Sequence, residues 1–153
     1  MKQLADELHA IVGSYADKLR STSNEAFSVL PGNGKWSKKQ ELGHLIDSAH
    51  TNLRRFVTGQ YEDQPGIVYN QDFWVSCLHY QEQPVEDIIE LWKLMNKQIA
   101  VVFASISKSD SQRLVNTGKG KAELHTIEWL AADYLVHLRH HLHHILELEV
   151  VSY

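Results

Sequence analysis

Hydrophobic residues recur at alternating spacings of three and four along four stretches of the chain. Leu4, Leu8, Ile11, Tyr15 and Leu19 form the first stripe, and Leu42, Ile46, Ala49, Leu53 and Phe56 the second. Ile88, Trp92, Met95, Ile99, Val102 and Ile106 form the third. The fourth is Ile127, Ala131, Tyr134, Leu138, His141, Ile145 and Leu148. A repeat near 3.5 residues puts each stripe on one helix face and suits helices packed nearly parallel or antiparallel. The pattern predicts an all-α four-helix bundle in a single domain over residues 1–153.

The punctuation between stripes agrees. Ser37 and Gln40 read as a capping box that opens the second helix, after a loop marked by Pro31, Gly32 and Gly34. Gly59 suits the end of that helix, and Pro84 the start of the third, where Glu86 and Asp87 favour the positive helix end. Thr126 is the expected N-cap of the fourth helix, and Gly118 to Gly120 reads as loop. Residues 60–83 are too long for a tight turn. A short extra helix is expected there around Asp72 to His79, carrying Phe73 and Trp74.

Composition removes several function classes. Fifteen Lys and Arg stand against nineteen Asp and Glu, a formal net charge of −4, with no basic run of the kind a nucleic-acid binder carries. The single cysteine, Cys77, excludes an internal disulfide and Cys-based metal motifs. It is expected to be a small buried side chain. The longest wholly apolar run, Ile99 to Ala104, is far short of the roughly 20 residues a bilayer span needs. Asp6 and Glu7 break any signal-peptide core, so the expected setting is cytoplasmic, with no membrane partner.

Histidine is the outlier: 10 of 153 residues, five of them between His137 and His144. On a helical wheel His137, His141 and His144 form one ridge, while His140 and His143 point further round toward solvent. Imidazoles at i and i+4 stand about 5–6 Å apart at Cβ and can converge on one metal ion. Two ligands do not complete a site, so at least one more must come from another helix. His44 lies nearly opposite the second stripe, on a polar strip with Glu41, Ser48 and Arg55, where the wheel favours solvent. The residues by themselves give no reason to prefer it to His50 or His79.

Two segments carry a family resemblance. GKWSKKQELGHLIDSAHTNLRRF at Gly34–Phe56 resembles the second-helix signature of the DinB-like superfamily. DYLVHLRHHLHHIL at Asp133–Leu146 resembles its fourth-helix signature, and YNQDFWV at Tyr69–Val75 is similar to the connecting segment of the YfiT-like branch. The resemblance implies a divalent metal held by His44, His137 and His141, zinc or nickel first and iron or manganese next. It also implies a metal-dependent hydrolase or a transferase using a low-molecular-weight thiol, a small-molecule substrate and a homodimer. Two positions depart from the pattern. Gln40 stands where many relatives have Glu, and His144 where many have Gln, either as a group behind the ligands or as an extra ligand.

A three-imidazole site with an open position can activate water or a thiol. Ser-His-Asp order, a Gly-x-Ser-x-Gly elbow and a His-Glu-x-x-His motif are all missing from the sequence. Catalytic residues are therefore unassigned. Asp47, Asp133, Arg55, Tyr69, Gln71 and Trp74 are the candidate helpers, with Asp133 four residues before His137 and Arg55 suited to an acidic substrate. Trp36 and Trp74 read as packing residues. The alternative from another class is a non-catalytic homodimeric bundle that binds a metal or ligand. A pH-sensing histidine face is a third reading.

Overall fold

A computed structural model describes residues 1–148. The four expected long helices are α1 (Lys2–Arg20), α3 (Lys38–Thr58), α5 (Val85–Ser105) and α7 (Ile127–Ile145). Short helices lie between them: α2 (Asn24–Ser28), α4 (Gln71–Cys77) and α6 (Lys108–Ser111). A 3-10 turn at Tyr80–Glu82 follows α4, which is the extra helix expected in the connection.

Local chemistry sets the helix boundaries. The Ser37 hydroxyl accepts from Gln40 N at 3.1 Å and the Gln40 side chain accepts from Ser37 N at 3.0 Å, closing the capping box. Thr126 caps α7 by accepting from Trp129 N. Pro84 is the N-cap of α5, one residue ahead of the expected first-turn position, and Gly59 is the C-cap of α3.

The bundle closes through the predicted stripes. α1 packs on α5 and α7, and α3 packs on the same two, so α1 and α3 occupy opposite corners. Leu8, Leu19, Leu42, Ile46, Trp92, Ile99, Phe103, Leu138 and Ile145 are fully enclosed between them. Removing such a side chain from water contributes about 1.5–3 kcal/mol each. The fourth stripe runs out at its end, where Leu148 is exposed.

Two features were not legible beforehand. Leu114–Asn116 and Leu124–Thr126 form a two-stranded antiparallel hairpin, β1 and β2, pairing Val115 with His125. Three-residue strands are too short to show an alternating pattern. The hairpin anchors the connection after α3, because Asn116 exchanges backbone hydrogen bonds with Pro65 and Ile67. The second feature is the burial of α3 nearly all round. Glu41, His44, Asp47, Ser48, Thr51 and Asn52 are buried with the apolar face, because α2, α4, the 3-10 turn and α7 cover the polar strip. Gly43 permits this cover: a Cβ there would overlap the Tyr80 ring.

Cys77 corrects an expectation. It is exposed, beside Phe73, Trp74 and Leu78 on the outer face of α4.

Candidate metal centre

α3 and α7 pack side by side and bring His44 against His137 and His141. Their ring centroids lie 5.2 and 4.9 Å from that of His44, and the two α7 rings are 4.5 Å apart. One nitrogen from each ring falls within a cluster no wider than 4.8 Å. The Nε2 atoms of His44 and His137 are 3.2 Å apart. Two nitrogens bound at about 2.0–2.1 Å to one tetrahedral ion stand roughly 3.3 Å apart, so this pair is spaced as two ligands of one cation would be.

Electrostatics fit as well. Burial, reinforced by the charge of His141, pushes His44 down to about 4, and it is only 2% exposed. Burial first, then His141 and His44, pushes His137 down to about 3. Both rings are thus neutral at pH 7 with lone pairs available, the form a metal requires. Nδ1 of His44 is buried without a hydrogen-bond partner among the described residues, while Trp36 packs on its ring at 5.0 Å.

Glu41, absent from the expected helpers, is the group behind the cluster. His141 Nδ1 donates to one carboxylate oxygen at 2.7 Å, and His144 Nδ1 lies 2.6 Å from the other. Burial would raise the Glu41 carboxyl, but the bonds from His141 and His144 outweigh it and hold the group below its ordinary value. Glu41 thereby directs Nε2 of His141 inward, as carboxylates behind ligating histidines do. The signal was available: Glu41 precedes His44 by three residues and shares its helix face. His144 lies outside the nitrogen cluster, with its side chain 69% exposed.

The other expected residues divide. Asp47 turns away from the centre and accepts from Tyr80 O–H at 2.6 Å, and burial pushes its carboxyl up to about 6. Arg55, Tyr69, Gln71 and Asp133 line a polar slot of about 160 Å³ that also touches His44 and His137. Burial lowers the Arg55 guanidinium from its ordinary value, offset in part by Tyr69 and Asp133. Trp74 packs on Tyr69 and His50 instead, with ring centroids 5.8 and 6.5 Å away. Trp36 is more than packing, since it walls a groove of about 580 Å³ beside Glu41 and His144. His143, expected to face water, pairs with Tyr15 through a 2.6 Å contact between Nε2 and the hydroxyl.

Known proteins share this arrangement of helices. YfiT from Bacillus subtilis, described as a probable metal-dependent hydrolase with an unusual four-helix bundle topology, superposes with a TM-score of 0.81 at 20% identity. The match covers 96% of this chain and 86% of that one. A mycothiol-dependent maleylpyruvate isomerase superposes with a TM-score of 0.68 at 14% identity, over 99% of this chain and 60% of that chain's length. A DinB-like protein of Bacillus subtilis gives 0.64 at 14% identity, covering 99% and 97% of the two chains. No curated protein matches the chain in sequence. No helix of the described residues is long and apolar enough to cross a membrane. The model of the DinB superfamily matches residues 6–145, and the chain belongs to that family.

Proposed function

We propose that the protein is a metal-dependent enzyme acting on a small molecule, with His44, His137 and His141 as the ligands of one divalent cation. The observation that carries this reading is the convergence of three imidazole nitrogens within 4.8 Å, two of them on rings held neutral by burial. An all-imidazole set suits zinc, nickel and iron, and manganese, which favours oxygen ligands, comes last. A cation held there supplies Lewis acidity and brings a water or thiol ligand to the ionised state near neutral pH. The reaction is hydrolysis or transfer to and from a low-molecular-weight thiol. YfiT supports the first by its description and the mycothiol-dependent isomerase the second.

The protein's own groups have separable tasks. Glu41 fixes the tautomer and direction of His141 and raises its donor strength. Trp36 packs against the His44 ring and limits its movement. Arg55, Ser48 and Asn52 supply the polar wall of the slot that reaches the cluster. The reading includes a homodimer and a cytoplasmic setting, and light scattering on the purified protein tests the assembly.

The test is elemental analysis of protein purified without an affinity metal. About one divalent ion per chain is expected, either as isolated or after adding zinc, nickel or manganese. No stoichiometric uptake overturns the reading. Assay of the loaded protein with ester and amide panels, and with thiol and electrophile pairs, then separates the two chemistries.

A further inference from the structure

The polar strip of α3 continues past the histidine cluster. Ser48, Asn52 and Arg55 follow His44 at helical spacing, and with Tyr69 and Asp133 they line the slot that opens on His44 and His137. Arg55 is fixed within this wall. Its Nε and Nη2 donate to Ile67 O at 3.1 and 2.8 Å, and its Nη1 donates to Asn52 Oδ1 at 3.3 Å. Ile67 is itself held, because its N–H donates to Asn116 O of β1. The guanidinium is thus positioned by the hairpin and by α3 before a ligand enters.

A guanidinium has five N–H donors. The three bonds to Ile67 and Asn52 leave one on each terminal nitrogen, enough for a two-point grip on a carboxylate. Asp133 in the same slot offsets the charge of Arg55, which favours a single carboxylate over a phosphate or a dianion. A volume of about 160 Å³ admits only a short ligand segment. The geometry points to this slot as the subsite for the carboxylate end of a small substrate whose other end reaches the metal, with Arg55 as the residue that reads the carboxylate. The inference rests on the assignment of the three histidines as a metal site.

The test uses the full chain loaded with cobalt(II) and two probes, 3-mercaptopropionate and 2-mercaptoethanol. They present the same thiol but end in a carboxylate or a hydroxyl. Growth of the thiolate-to-cobalt absorption gives each dissociation constant. The carboxylate probe is expected to bind at least about tenfold tighter, the worth of one charge-assisted hydrogen bond. Arg55→Gln is expected to abolish that preference while cobalt stoichiometry stays unchanged. Arg55→Lys keeps the charge but not the two-point grip, and is expected to weaken the preference at least about threefold. It serves as the second variant if Arg55→Gln does not fold. Equal affinities in the wild-type protein, a preference retained in Arg55→Gln, or a preference undiminished in Arg55→Lys overturns the inference while leaving the metal site standing. Failure to take up cobalt overturns the metal reading and this one with it.

Discussion

Glu41 accepts a hydrogen bond from Nδ1 of His141 at 2.7 Å, across the contact between α3 and α7. The carboxylate is buried, yet its paired histidines keep it ionised. One residue thus orients a histidine of the cluster and couples it to the exposed His144.

Loss of this carboxylate charge is expected to weaken metal binding. Glu41→Gln keeps the shape but removes the anion that strengthens His141, and should raise the metal dissociation constant by about 10–100-fold. Competition against a chromogenic chelator measures it. His144→Gln, outside the nitrogen cluster, is expected to change the affinity much less.

Substitution of a proposed ligand has a sharper outcome. His141→Ala leaves two imidazoles, and stoichiometric metal should be lost. Zinc at about 100 times its dissociation constant should stabilise the wild-type protein by about 2.7 kcal/mol, seen as a rise in Tm. That rise should vanish in the variant.

Stability without metal should depend on pH through the buried histidines. His44 and His137 titrate at about 4 and about 3 in the folded state, against an ordinary value of 6.5. Below pH 6.5 the unfolded chain binds protons that the folded chain refuses, so stability falls as pH drops. Each group costs up to about 1.4 kcal/mol per pH unit within its window. Asp47 works the other way between 3.8 and about 6, where the folded protein holds the extra proton. The steepest loss is therefore expected just below pH 6.5, easing below pH 6. Urea titrations of metal-free protein between pH 5 and 8 check the slope, and bound zinc should flatten it.

Gly43→Ala tests the cover over α3. The new methyl would fall within the Tyr80 ring. Tyr80 would have to leave Asp47, with an expected cost of about 1–3 kcal/mol from overpacking and more from the carboxyl left unpaired. Urea unfolding at pH 7 measures the difference.

The helices were readable because a 3.5-residue stripe is a local property of the chain. So were the caps at Ser37 and Thr126, whose partners lie three residues away. The hairpin was not, since its strands are too short to show a period and it is held by pairing across a loop. Cys77 was misplaced for a related reason: composition says that cysteines tend to be buried, while the position of α4 leaves this one outside.

The site shows the same division. Helical spacing put His137 and His141 on one ridge, because i and i+4 are neighbours on any α-helix. Spacing placed His44 on the polar side of its helix, which is correct, and then favoured solvent, which is not: His44 is 2% exposed. A wheel reports which residues share a face but not what covers it. The family signature singled out His44 from outside the physics of the chain. The role of Glu41 as a support for His141, and the joining of Arg55 to the same cavity, depend on residues more than 90 positions apart or on a loop pinned by the hairpin. The sequence by itself determined the bundle and the histidine ridge, both governed by short-range periodicity. Only the packing of α7, α4 and the 3-10 turn over α3 decided that its polar strip is enclosed and faces the histidine ridge, because burial is set by what the rest of the chain brings to that face.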